Sequence, residues 1–126
     1  MGYEIISNDQ TAASLITVPS AETNLKTVGV RGNSFKLIGV KGVIKITTDG
    51  TSTAQNVTFK VKPGVAAGNT KSFVYVSKAA ISTEFITIEH IAKSNDKDDA
   101  RITIQGAAAD ANTDIVCESM VVYGIY

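Results

Sequence analysis

The sequence has no tryptophan, one cysteine and one histidine in 126 residues, and its twelve basic and twelve acidic side chains cancel. Each scarcity removes a class of function. With Cys117 alone, no internal disulfide can form; a reducing compartment fits, and the residue reads as a small buried hydrophobe in a strand. With His90 alone, no multi-histidine metal site exists. It shares one side of its strand with Ile86 and Ile88, which favours a satisfied sheet histidine over a catalytic base. A net charge of zero supplies no phosphate-neutralising excess, so nucleic acid is not an expected partner. Lys36, Lys41, Lys45, Lys60 and Lys62 recur among the strands as solubilising residues on wet faces.

No apolar run approaches the ~18–20 residues needed to cross a bilayer. The opening Met1 to Ile6 has neither the basic nor the apolar region of a signal peptide, and Ile6 stands where a myristoylation site needs Ser or Thr. The expectation is a soluble chain made in the cytoplasm, without a membrane partner.

What is present is β-branched. Ile, Val and Thr supply 41 of the 126 residues, and such side chains, stiff at χ1, suit a pleated sheet. Asn56 to Lys62 alternates strictly, with Val57, Phe59 and Val61 on one face and Thr58, Lys60 and Lys62 on the other. Similar runs cover Tyr3 to Ile6, Leu25 to Val30, Phe35 to Thr48, Lys71 to Ser77, Glu84 to Ala92, Ala100 to Gln105 and Ile115 to Tyr126. The pattern predicts an all-β, single-domain antiparallel β-sandwich over residues 1–126, jelly-roll-like, with about eight strands. Residues 1–24 are a candidate N-terminal arm or edge strand, and their least periodic part, Asn8 to Asn24, reads equally as a loop, an arm or a short strand around Leu15 to Val18. Ala-rich pieces at Lys78 to Ile81 and Gly106 to Ala111 are long enough for one helical turn at most.

The echo of Val28-Gly29-Val30-Arg31-Gly32 in Ile38-Gly39-Val40-Lys41-Gly42 has no third copy, so it is not a solenoid repeat. No helix follows to hold a phosphate. The expectation is two consecutive strands joined by a tight turn at Gly32-Asn33, with a bulge or bend near Gly39 or Gly42.

Asp110-Ala111-Asn112-Thr113-Asp114 opens like a calcium loop, so Asp110, Asn112 and Asp114 are candidate cation ligands. The pattern then fails, because Ile115 takes the glycine position and Val121 the place of the closing glutamate. An Asx-rich turn is the simpler expectation. The cluster Asn95, Asp96, Asp98 and Asp99 encloses Lys97 and reads as a solvated hairpin tip. Pro63 to Thr70 falls one residue short of a phosphate loop and lacks its lysine. No nucleophile-elbow pattern places a serine. No catalytic residue, cofactor or established metal site is therefore assigned. In the final strand Met120, Val122, Tyr123 and Tyr126 are candidate interface residues, because a strand apolar on both faces is either central in a sandwich or buried against another subunit.

The small, polar loop Gly106 to Thr113 followed by the apolar closing strand Ile115 to Tyr126, in a Thr-, Ala- and Gly-rich chain, resembles the small jelly-roll proteins of tailed-phage virions. These are capsid decoration proteins, head fibres and tail-fibre heads. The ending Met120 to Ile125 is also similar to the last strand of tumour necrosis factor-like trimers. The resemblance implies a virion structural protein of a bacteriophage, a homo-oligomer and often a trimer, that binds a capsid or tail lattice and reinforces or extends it without catalysis. The alternative is a carbohydrate-binding or host-adhesion sandwich module, with Tyr3, Tyr75, Tyr123 and Tyr126 as its aromatic candidates.

Overall fold

The computed structural model describes residues 2–13, 15–30, 35–64, 69–94 and 99–126. Among these described residues nine strands form: β1 (Tyr3–Asp9), β2 (Ile16–Val18), β3 (Thr23–Val28), β4 (Leu37–Asp49), β5 (Asn56–Lys62), β6 (Lys71–Val76), β7 (Ile81–Lys93), β8 (Ala100–Gly106) and β9 (Asp110–Ile125). One sheet has the order β1-β9-β4-β7, with β2 also paired to β9; the other has β3-β8-β5-β6. Every pairing is antiparallel. β1 meets Met120 to Ile125 and β2 meets Asp110 to Ile115 of the same strand. The two act as one interrupted edge, which leaves two four-stranded layers with the crossings of a jelly roll.

The alternation read from the sequence becomes the core. Val57, Phe59 and Val61 of β5 face Ile102 and Ile104 of β8, Ile38, Val40, Ile44 and Ile46 of β4, and Ile115, Met120 and Val122 of β9, all buried. Each large aliphatic or aromatic side chain so buried contributes about 1.5–3 kcal/mol relative to exposure. Cys117 is buried among them, and burial pushes its thiol above the usual range. On the outer face of the second sheet, Lys60 and Lys62 reach the Glu22 carboxylate at 3.1 and 2.7 Å.

Three local expectations are corrected. β3 and β4 are not a hairpin, because they lie in different sheets. Val30 and Phe35, which follow β3 and precede β4, are both buried in the core, and the Gly32-Asn33 turn itself lies outside the described residues. The bulge sits on β9 rather than β4. The register of β4 with β7 is unbroken, whereas against β9 it slips between Val43 and Ile44, so that Glu118 is the extra residue. Lys78 to Ile81 and Gly106 to Ala111 stay within the limit of one helical turn, as Ile81 opens β7 and Asp110 opens β9. Last, Asp110 to Asp114 is the start of a sixteen-residue strand rather than a free turn. Thr113 and Asp114 pair with β4, and Asp110 and Asp114 with β2. The middle of the Pro63 to Thr70 loop and the residues Asn95, Asp96 and Asp98 lie outside the described residues.

Candidate interaction surface

Cross-strand register assembles a surface that no single segment contains. One row across the first sheet runs Tyr3, Ile125, Leu37, Lys93, and the next runs Ile5, Tyr123, Gly39, Ile91. These positions all point away from the core, since their neighbours along each strand point into it. Tyr3 is 72% exposed, Ile5 49%, Ile91 44% and Leu37 37%, which makes a contiguous apolar patch. The following row brings Val121 beside Lys41 and Glu89, with Asn8 on β1. Together with Lys93 these form a polar rim. An apolar centre inside a polar rim is the anatomy of a protein–protein contact.

Gly39 shapes the patch. A β-carbon there would lie 2.2 Å from Cζ of Tyr123, so the tyrosine ring crosses the sheet over the glycine. Its hydroxyl donates a 2.7 Å hydrogen bond to the Glu89 carboxylate on β7. Partial burial, reinforced by that bond, pushes the Tyr123 phenol up to about 12. The ring is therefore held flat as one wall of an open apolar cleft of about 400 Å³ between Gly2, Tyr3, Ile5, Tyr123 and Ile125.

The sequence-derived candidates separate cleanly. Met120 and Val122 are fully buried on the inner face of β9 against the second sheet, so they cannot form an intermolecular contact. The apolar character of that face is explained by the sandwich core. Tyr123 lies on the outer patch. Tyr126 is half exposed at the end of the sandwich, where it packs on Phe35 with ring centroids 4.9 Å apart and donates to Glu4 at 3.0 Å. Tyr75 points inward from β6 and donates to Glu84. Tyr3 is among the aromatic candidates read from the sequence, whereas nothing in the sequence marks Ile5, Leu37 or Ile91 as surface residues; only register with β9 and β4 brings the four together.

Asp110, Asn112 and Asp114 do not converge as a cation cage. The buried Asp110 carboxylate accepts from the Thr53 amide at 2.7 Å, the Asn112 amide at 2.9 Å and the Thr113 hydroxyl at 2.9 Å. Among the described residues no group of three or more His, Cys, Asp or Glu side chains is placed to hold a metal. Burial acts to raise the Asp110 carboxyl, but its three donors outweigh this and hold it below the usual carboxylate range. A depressed folded-state value stabilises above the unfolded value near 3.8 and is lost as pH falls through the folded one. Stability is thus expected to fall below about pH 4. Asp110→Ala should lose about 2 kcal/mol at neutral pH by urea denaturation and should flatten part of the acid limb. His90 sits opposite Val40 in the β4–β7 ladder, and no hydroxyl or carboxylate among the described residues hydrogen-bonds it.

No protein-family model and no curated protein matches the sequence. Solved structures match it in fold. The chain is similar to part of an arabinose-bound α-L-arabinofuranosidase, with TM-score 0.51 and 13% identity over 96% of this chain and 23% of that one. It is similar to the VP2 protein of infectious bursal disease virus, with TM-score 0.50 and 7% identity over 98% of this chain and 32% of that one. The PRD1 vertex protein P5 matches with TM-score 0.47 and 17% identity, over 98% and 94% of the two chains. The chain spans less than a third of the first two proteins' length, and at these identities the likeness is one of β-sandwich fold.

Proposed function

We propose that this chain is a non-catalytic structural module of a virus particle, which docks on a protein lattice through the outer face of the β1-β9-β4-β7 sheet. The observation that carries the reading is the patch of Tyr3, Ile5, Leu37, Ile91, Tyr123 and Ile125 inside its polar rim. Burying such a patch against a protein stabilises a complex at about 25 cal/mol per Å² of apolar area before ordering costs. A capsid decoration or fibre-head role, in a phage, is the specific form the sequence resemblance favours.

The second reading, glycan binding, rests on Tyr3 and Tyr123 flanking the cleft. Its walls are almost wholly apolar, whereas a sugar site needs convergent polar groups beside its aromatic platform. The available hydroxyl of Tyr123 is already committed to Glu89. The lattice reading is therefore preferred.

The test is cosedimentation of the purified chain with particles that lack it. Binding is expected, and the double variant Tyr3→Ser/Ile5→Ser should weaken it at least tenfold while its thermal melt stays within about 0.5 kcal/mol of the parent, since both side chains are exposed. Binding that survives the double variant, or a chain that ignores particles and binds a glycan array, overturns the reading.

A further inference from the structure

Three of the four sheet edges are blunted. The β1/β2 edge is broken between two strands and slips register between Ile5 and Ser7. The β3 edge slips between Asn24 and Lys26. The β6 edge is six residues long and opens on Lys71. β7 has none of these devices. It runs thirteen residues in unbroken register with β4, contains no proline, and carries its one lysine at the last position. It also exposes Ile81, Phe85 and Ile91, at 83%, 62% and 44%. A long, straight, apolar edge is the feature that folded proteins ordinarily avoid unless another strand covers it.

The direction of its backbone groups is fixed by its end. The Ser94 amide bonds the Lys36 carbonyl on the β4 side. The Lys93 carbonyl instead accepts from the Asn69 side chain. Even-numbered residues of β7 therefore turn their amides and carbonyls toward β4, and odd-numbered residues from Ile81 to Ile91 turn theirs toward the open edge.

We infer that this edge pairs with β7 of a second copy of the chain, antiparallel, about a two-fold axis through Thr87. The axis falls at the centre of the thirteen residues. Thr87 then faces Thr87 of the other copy, Phe85 faces Glu89 and Thr83 faces Ile91, each through edge-directed backbone groups. On the inner row Ile86 faces Ile88, and Glu84, whose carboxylate also holds Lys78 and the Tyr75 hydroxyl of its own chain, lies opposite His90. No other register brings those two together, and moving the axis to Glu89 would set two carboxylates against each other. The contact is isologous and closes as a dimer; it shares Ile91 with the apolar patch and leaves Tyr3, Ile5, Leu37, Tyr123 and Ile125 uncovered. It is independent of what that patch binds.

The test is the Thr87→Cys chain under mild oxidation. Residues facing each other in a hydrogen-bonded pair are about 5.5 Å apart at Cα, within the ~4.4–6.8 Å a disulfide spans. Thr87→Cys alone should give a cross-linked dimer. Thr83→Cys and Ile91→Cys should each fail alone and cross-link when mixed. Light scattering should give twice the 13.2 kDa chain mass for the parent and for Tyr3→Ser/Ile5→Ser. Thr87→Lys, which places two ammonium groups across the axis, and Thr87→Pro, which removes an amide directed away from β4, should both shift the mass to monomer; Thr87→Lys should still melt cooperatively, at a temperature independent of protein concentration. A monomeric or three-fold parent, or a dimer that Thr87→Cys does not cross-link, overturns the inference.

Discussion

Replacing Gly124 with valine should cost about 3 kcal/mol of stability, or a fall in Tm of roughly 10 °C. Gly124 faces inward on β9, and a β-carbon there would lie 2.2 Å from Cδ1 and Cγ of Phe35. The phenylalanine cannot retreat. It is buried and covered by Tyr126, and the Lys36 amide beside it is bonded to the Ile125 carbonyl. The backbone at Gly124 is ordinary extended chain that valine would adopt readily, so the entire cost is overlap. The measurement is urea denaturation of Gly124→Val, Phe35→Ala and the double variant. Truncating Phe35 removes the ring that valine strikes, so the double variant should be more stable than the sum of the single losses predicts, with coupling above about 1 kcal/mol. Additive losses would show that Phe35 does not sit against this glycine.

Gly39→Val meets the same 2.2 Å overlap on the opposite face, and there the outcome differs. The obstructing atoms are the outer end of the Tyr123 ring, which is only half buried. The ring can swing off the sheet, at the cost of its bond to Glu89 and of its packing over β4. A loss of about 2 kcal/mol is expected, with the chain still folded. The larger effect falls on function. With the ring displaced, the cleft between Tyr3 and Tyr123 loses a wall, and lattice binding should drop at least tenfold. In a Tyr123→Ala background the valine fits a strand position and should cost almost nothing. A Gly39→Val chain that binds as tightly as the parent would separate Tyr123 from the docking surface. Gly39, in the Ile38-Gly39-Val40 half of the echoed segment, is thus neither part of a ligand loop nor a hairpin device; it makes room for a tyrosine that arrives from the far end of the chain.

Strand content was written in the sequence because period-two alternation is local. Val57, Phe59 and Val61 announce a buried face without reference to any other segment, and β5 begins and ends where that pattern does. A neutral, cysteine-poor, β-branched chain likewise defined the all-β class unaided. Partnership was not legible. Val28 and Leu37 lie nine positions apart yet belong to different sheets, because alternation states that a strand has two faces but not which sheet receives it. Asp110 reads as turn chemistry, and only the donors brought by Thr53, Asn112 and Thr113 hold it within a strand.

The same limit governs the site. Met120, Val122, Tyr123 and Tyr126 looked equivalent in a strand apolar on both faces, and the packing of the second sheet alone decided that the first two are core. Tyr3, Ile5, Leu37 and Ile91 became neighbours through register with β9 and β4, across separations no periodicity spans. The sequence by itself determined that the chain would form strands, which positions alternate within them, and which chemistries were missing. The tertiary structure decided which strands meet, which face is covered and which edge is left open, since those depend on pairing energies between segments distant along the chain.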